Sequence, residues 1–359
     1  MSEEPIVPLV SIEGQKRAIT ALLALVASRE ALPPLLFCGP EGVGKRSAAL
    51  GLAAGLVCRR GGIDRACGRC PPCQRVLQSR GVTALRRRST AQDRAQVYPD
   101  IGFVGIPEGK TRISVLQARD VELSLSMQPF ELPRRIYIIE PADSLTPAAA
   151  NSLLKVLEEP PPWGLLILVT AHPWALPVTV RSRMQTVRFG LLDRRTVESW
   201  LAGRGYPADE AAERARCCRG RLSLALAADP AAEDALRETW TGAIEKLAAG
   251  GPAAALAIAV AEAWGSDAAA AEKACQALLE LMRDAQAVAA GAEPQWLDRA
   301  QAERLADFVD AAGPALYDRL RVVELLRSEI RVFHRNPRLS VEGALLALAG
   351  RLDRAALGR

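Results

Sequence analysis

Two groups of residues in this 359-residue chain have the types and the spacing that chemistry needs. The first is Cys58, Cys67, Cys70 and Cys73, two Cys-x-x-Cys steps that share Cys70, preceded by a longer spacer. Gly68, Pro71 and Pro72 are expected to force tight turns between the thiols, and Gly61-Gly62 lets the spacer loop back. All four sulfurs can then converge on one tetrahedral centre. Four thiolates saturate a Zn²⁺ ion and leave no open coordination position, so the spacing predicts a structural metal and not a catalytic one. Disulfides at these positions would need an oxidising compartment, and a redox Cys-x-x-Cys pair would not need four cysteines. The remaining cysteines, Cys38, Cys217, Cys218 and Cys275, read as small core residues.

The second group is Gly39-Pro40-Glu41-Gly42-Val43-Gly44-Lys45-Arg46-Ser47, which follows a short apolar run at 35–38 and opens a helical pattern. Gly39, Gly42 and Gly44 allow the backbone to curl until its N–H groups face an anion. The helix N-terminus adds its dipole, and Lys45 supplies a point charge for β and γ phosphates. ATP or ADP is the ligand such a loop is shaped for. The hydroxyl that normally follows the lysine and binds Mg²⁺ is replaced by Arg46. Ser47 lies about 100° further round the helix and is not expected to reach the same place, so Mg²⁺ is expected to be held poorly. A second strand ends at Glu140-Pro141, where loop-bearing ATPases place a metal-binding Asp and then a Glu that polarises water. Glu140 keeps a carboxylate, but Pro141 has neither a carboxylate nor an N–H, so no general base is expected.

The elements that position these groups follow from hydrophobic period. Segments 35–38, 101–104, 136–140, 165–170 and 186–189 are short, apolar and bounded by Gly, Pro or polar residues, and read as strands. Segments 15–27, 45–57, 113–127 and 147–159 have helical spacing between them. The last has Thr146 as N-cap, Pro147 at the first helical position and a run of prolines from Pro160 as its stop. After about residue 190 the strand signals end and the chain is Ala-, Leu-, Glu- and Arg-rich with helical spacing. The expected fold class is α/β plus all-α. A parallel-sheet phosphate-loop domain fills 1–188 with the metal module at 58–73 inside it, followed by a small helical lid domain at 189–233 and a helical collar domain at 234–359. The second boundary is placed where Ala-Ala-Asp-Pro interrupts the pattern, and Gly250-Gly251-Pro252 marks a turn within the last domain.

Taken together, these residues resemble the AAA+ subunits of the bacterial sliding-clamp loader, over about residues 8–230. Ile12-Glu13-Gly14-Gln15 is similar to the family's Gly-Gln box near the adenine pocket, and Tyr98-Pro99-Asp100 to its His-Pro-Asp. The cysteine insertion directly after the loop helix is distinctive for the gamma/tau and delta-prime branches. Ala150-Asn151-Ser152-Leu153-Leu154-Lys155-Val156-Leu157-Glu158-Glu159-Pro160-Pro161 resembles the stretch after the second acidic motif, and Thr170 falls on the sensor 1 strand. Ser182-Arg183-Met184 falls on the family's Ser-Arg-Cys motif. The resemblance implies that Arg183 is an arginine finger, a fixed cation offered across the subunit interface to the γ-phosphate held by a neighbour. Arg181, two residues away, is the competing candidate. In Gly220-Arg221-Leu222-Ser223 the position of the family's sensor 2 arginine is Ser223.

Changes at Arg46, Pro141 and Ser223 touch three separate parts of the hydrolytic machinery. They imply the delta-prime branch, a stator that gives an arginine and does not hydrolyse ATP, within the DNA polymerase III holoenzyme. The implied partners are the gamma/tau and delta subunits and, through the complex, the sliding clamp and primer-template DNA. A gamma-like motor subunit, or a zinc-stabilised DNA-binding module with a vestigial phosphate loop, are the alternatives.

Composition narrows the remaining choices. Hydrophobic residues at 49% and charged residues at 24% are those of a globular chain, and a length of 359 residues is enough for two or three domains. Aromatics at 4% advertise no stacking surface for single-stranded nucleic acid, and the net charge of +5 adds little. The longest apolar stretches, such as 253–261 and 165–169, fall well short of the roughly 18 residues of a membrane span. Residues 1–15 carry Glu3 and Glu4 and no long apolar core, unlike a secretory leader. A reducing cytoplasm, with association to the nucleoid at replication forks, is the expected setting, and no membrane partner is expected.

Overall fold

The computed structural model describes residues 6–27, 31–79, 100–227, 229–265, 267–294, 297, 299–333 and 336–353, with backbone alone at 331–333. Tyr98 and Pro99 lie outside the described residues. The chain clusters into two compact units, Met1–Ala211 with Cys218–Leu226, and Ala212–Cys217 with Ala227–Arg359. The segment 189–233 is shared between them.

The first unit is built on β1 (Leu35–Cys38), β2 (Ile101–Val104), β3 (Arg135–Ile139), β4 (Gly164–Thr170) and β5 (Gln185–Arg188), all parallel, in the order β2-β3-β4-β1-β5. Every residue of β1 to β4 is buried, as the continuous apolar runs require of strands covered on both faces. Only Val187 is buried in β5, the polar edge strand. Helix α1 (Lys16–Ala27) precedes the strands, α2 (Lys45–Val57), α3 (Pro71–Ser79), α4 (Val115–Ser126), α5 (Pro147–Ser152), α6 (Leu154–Glu158) and α7 (Val178–Arg181) lie between them, and α8 (Arg194–Ala202), α9 (Ala208–Cys217) and α10 (Leu222–Ala227) follow in the chain, with Ala212–Cys217 of α9 belonging to the second unit.

Register positions the site. Cys38 pairs with Thr170 across β1 and β4, and Ile139 pairs with Leu168 across β3 and β4. The chain therefore leaves the sheet at Cys38, Ile139 and Thr170 along one edge. That edge is the carboxyl end of the strands, where parallel sheets build ligand crevices.

Local chemistry moved several boundaries. β3 stops at Ile139, which leaves Glu140 just outside the ladder. β5 starts at Gln185 and ends at Arg188. The helix expected over 147–159 is interrupted at Leu153, because the Ser152 hydroxyl donates to the Ala149 carbonyl at 2.8 Å and competes with the backbone ladder. Thr146 caps it as the sequence implies, accepting the Ala149 N–H, with Pro147 in the first position. Pro71 and Pro72 do not make a turn. They open α3, where a missing N–H costs nothing.

Asp100 anchors the start of β2. Its buried carboxylate accepts the N–H groups of Phe130 at 2.8 Å, Glu131 at 2.7 Å and Leu132 at 3.0 Å, and pairs with Arg135 at 3.2 Å. This fixes the loop that leads into β3, the strand that delivers Glu140.

The second unit is helical: α11 (Pro230–Ala248), α12 (Ala253–Trp264), α13 (Ala268–Ala289), α14 (Arg299–Glu303), α15 (Ala306–Ala312), α16 (Ala315–Phe333) and α17 (Pro337–Leu348). Asp229, Asp267 and Asn336 cap α11, α13 and α17 through side-chain oxygens. The expected turn at 250–252 closes with Gly250 at φ +84° and Gly251 N–H donating to the Lys246 carbonyl. Trp240 is fully buried among Leu236, Ile244, Leu278 and Leu281, and its Nε1–H donates to the Ala274 carbonyl at 3.0 Å. Among the described residues no helix is long and apolar enough to cross a membrane.

Replacing Asp100 with Ala leaves three inward N–H groups without their acceptor and the buried Arg135 guanidinium without its counter-charge, held only by the Ser124 and Gln128 carbonyls among the described residues. The expected loss is about 3–5 kcal/mol of stability, read as a fall in the denaturation midpoint. A change below about 0.5 kcal/mol, the range of an ordinary surface substitution, would contradict the anchoring role.

Candidate functional site

The phosphate loop forms where its sequence places it, between β1 and α2. Gly39, Gly42 and Gly44 have φ of +144°, +76° and +100°, a region that residues with a side chain rarely enter. Space demands glycine as well. A Cβ on Gly39 would stand 2.1 Å from the Phe189 carbonyl oxygen, and one on Gly42 would stand 2.1 Å from Ser223 Oγ. Gln15 clasps the loop from below, its side-chain amide donating to the carbonyls of Val43 at 3.2 Å and Gly190 at 2.7 Å while its oxygen accepts the Gly190 N–H. The Gly-Gln box residue thus ties the loop to the segment after β5.

Both cations of the loop are engaged by the protein itself. The Lys45 ammonium is buried and donates to the carbonyls of Gly39 and Pro40, each at 2.6 Å. Burial lowers its pKa, while Glu140, Glu41 and Asp143 act in the opposite direction. Arg46 Nε lies 3.5 Å from Glu140 Oε2, and its guanidinium stacks 4.5 Å over the Phe103 ring. Burial raises the Glu140 pKa, with Arg46 and Lys45 pulling it back. Ser47 is half-buried one position along the helix.

Thr170 Oγ1 accepts the His172 N–H at 2.9 Å and donates to Asp143 Oδ1 at 2.5 Å. Asp143 was not among the residues expected from the sequence. The only available signal was its place three residues after Glu140, in a short 3₁₀ turn at Ala142–Ser144. Ser223, read from the sequence only as a lost arginine, has its own place: its N–H donates to the Gly42 carbonyl at 3.3 Å, so the start of α10 lies on the loop.

The four cysteines come together directly after α2. Their sulfurs all lie within 4.8 Å of one another, with Cys70 3.5 Å from Cys73 and 4.0 Å from Cys58. A tetrahedral ion at about 2.3 Å from each thiolate needs sulfurs somewhat under 4 Å apart, so the cluster fits a metal with little movement. Cys58 Sγ accepts N–H groups from Gly61 at 3.2 Å and Cys67 at 3.4 Å, and Cys67 Sγ accepts that of Cys70 at 3.4 Å. Burial disfavours the Cys58 thiolate, but these backbone donors outweigh it and hold the pKa down at about 6. Gly61 permits the turn, since a Cβ there would stand 2.0 Å from the Arg65 carbonyl oxygen. Cys38, Cys217, Cys218 and Cys275 are buried, as expected.

Arg183 follows α7, one residue beyond its C-cap Ser182. Val180 and Met184 are buried on either side and pin the backbone, so Arg183 is left exposed. Its Nε donates to Glu158 Oε1 at 2.8 Å, and one terminal nitrogen donates to the Thr179 carbonyl at 2.9 Å. Arg181 is half-buried, and its Nε is buried without a hydrogen-bond partner among the described residues.

The comparisons follow this geometry. A sequence model of the family described as "DNA polymerase III, delta subunit" matches residues 14–193. The DNA polymerase III subunit delta' of Bacillus subtilis (strain 168) is 33% identical over 189 residues, which is 53% of this chain and 51% of the relative. The delta' subunit of Pseudomonas aeruginosa is 34% identical over 179 residues, 50% of this chain and 48% of the relative. DNA polymerase III subunit tau of Bacillus subtilis is 28% identical over 226 residues, 63% of this chain and 36% of the relative. The chain therefore spans about half the length of the delta' relatives it matches, and less of tau. Among solved structures, a gamma subunit-related protein of Thermotoga maritima aligns over 92% of this chain and 98% of its own at 16% identity and a TM-score of 0.37. The RuvB Holliday junction branch migration motor of the same organism aligns over 91% and 79% at 13% identity and a TM-score of 0.40. The family match covers half the chain and takes in the phosphate loop, the cysteine cluster and Arg183, and on it the chain belongs to the DNA polymerase III, delta subunit family.

Proposed function

We propose that this chain is the delta-prime, stator-like subunit of the DNA polymerase III clamp loader, which holds the complex together and completes a neighbour's ATP site with Arg183. The observation that carries the reading is the Arg46–Glu140 pair: a guanidinium sits on the carboxylate that a hydrolysing subunit would keep for Mg²⁺. The Lys45 ammonium donates to loop carbonyls, and Pro141 and Ser223 stand where a general base and a sensor arginine would act. Any ATP or ADP in the loop is bound without the means to be cleaved. Arg183, by contrast, is exposed on a short pinned turn, a suitable place for a cation to be offered to another subunit. Its partners are the gamma/tau and delta subunits, and the sliding clamp and primer-template DNA are reached through the assembly. The three-part division at 188 and 233 and a cytoplasmic location at replication forks belong to the same proposal. Relatives bearing the names delta' and tau support the coarser role of a clamp-loader subunit in DNA replication.

Cys58, Cys67, Cys70 and Cys73 would hold one Zn²⁺ as a structural cross-link. Elemental analysis of protein purified without chelator is expected to find one Zn²⁺ per chain. The Cys67→Ser, Cys70→Ser double variant is expected to lose it and to unfold at lower temperature. A metal-free wild-type protein with an unchanged melting temperature would remove the metal from this reading.

The isolated chain is expected to show no ATPase above background, with or without Mg²⁺. Robust turnover by the lone subunit would favour a gamma-like motor. In the complex assembled with gamma/tau and delta, Arg183→Ala is expected to lower clamp- and DNA-stimulated ATPase at least about tenfold without dispersing the complex, because an arginine finger acts on the transition state. The same loss from Arg181→Ala, with Arg183→Ala silent, would assign the finger to Arg181.

A further inference from the structure

The turn that carries Arg183 has a companion on another helix. Glu158 closes α6, a helix packed against α7, and its Oε1 receives two donors of the same guanidinium, Nε and one terminal nitrogen, each at 2.8 Å. The other terminal nitrogen donates to the Thr179 carbonyl at 2.9 Å and touches Ser182 Oγ at 3.5 Å. A guanidinium has five N–H donors in a rigid fork. Here Glu158 takes Nε and one terminal nitrogen, and the other terminal nitrogen serves Thr179 and Ser182. What remains is an N–H on the terminal nitrogen beside Glu158, open to a phosphate oxygen.

A free arginine at this exposed place would sample many rotamers, and each productive encounter with a phosphate would require it to be ordered again. Held at two points, the side chain is ordered beforehand with its phosphate-binding end outward, and pre-positioning of this kind raises the rate of a step without raising affinity. Glu158 is exposed, and the hydrogen bonds of its carboxylate among the described residues go to Arg183.

We infer that Glu158 is the positioning residue for Arg183, a carboxylate that holds the finger extended toward the neighbouring subunit's nucleotide. The inference rests on the arginine-finger reading of Arg183. It assigns to the Glu158-Glu159-Pro160-Pro161 stretch a task separate from ending α6.

The test uses the complex assembled with the full chain, in the presence of clamp and primed DNA, and measures steady-state ATPase for four chains: wild type, Glu158→Ala, Arg183→Ala and the double variant, with Glu158→Gln as the conservative control. Glu158→Ala is expected to lower kcat about tenfold with KM for ATP unchanged, since a misplaced group near the reacting atoms costs rate and not binding. Glu158→Gln keeps an acceptor oxygen and is expected to stay within about threefold of wild type. In the Arg183→Ala background, Glu158→Ala is expected to change kcat by less than about twofold, because a residue that acts only through Arg183 has nothing left to position. A silent Glu158→Ala beside a slow Arg183→Ala would overturn the positioning role and leave the finger standing. A further fall in the double variant, or loss of the complex on gel filtration, would make Glu158 a structural residue and also overturn it. A silent Arg183→Ala would remove the finger reading and this inference together.

Discussion

Parallel pairing of β1 with β4 is the constraint on which the rest of the first unit depends. It sets Cys38 beside Thr170, so the phosphate loop and the segment after β4 emerge side by side although more than a hundred residues separate them in the chain. β3, the next strand out, delivers Glu140 to the same edge through its pairing with β4. A slip of one residue in either ladder would turn each side chain to the opposite face and part Cys38 from Thr170 or Ile139 from Leu168. The Asp100–Arg135 cluster fixes where β2 and β3 begin.

Electrostatics at that edge explains how the polar groups of the loop are held within the chain. A buried ammonium needs acceptors, and Lys45 finds them in two carbonyls of its own loop. A carboxylate as covered as Glu140 needs a counter-charge, and Arg46 supplies it from the helix next door while resting its flat face on Phe103. Asp143 is tied to Thr170. Lys45, Arg46, Glu140, Asp143 and Thr170 thus each have a hydrogen-bond or ion-pair partner within the chain. The outward-facing charge is elsewhere, at Arg183, where Glu158 and Thr179 hold the guanidinium without burying it.

The cysteine cluster extends the same structure from the other end of α2. Lys45 begins that helix and Cys58 caps it, so one rod joins the loop to the thiols, with α3 packed alongside. Backbone N–H groups already point at Cys58, which favours the thiolate form a metal requires. The helical unit around Trp240 is a separate piece of packing, with caps at Asp229, Asp267 and Asn336 that are readable one residue at a time.

Whatever depends on residue type and local spacing is legible along the chain. The glycines and lysine of the loop, the thiol spacing, Thr146 with Pro147, and the period of each strand and helix all act within a few residues, where sterics and hydrogen-bond geometry leave little choice. Which of these meet is settled by long-range packing. That Arg46 would pair with Glu140, that Asp143 would reach Thr170, that Ser223 would lie on Gly42, and that Glu158 would grip Arg183 are contacts across 94, 27, 181 and 25 positions of the chain. The first three depend on strand order or on where the segment after the sheet returns, and the last on how α6 packs against α7. No pattern along the chain encodes them, because a charge in the sequence names its sign and not its partner. The partner is chosen by the fold that brings the two together and shields them from water.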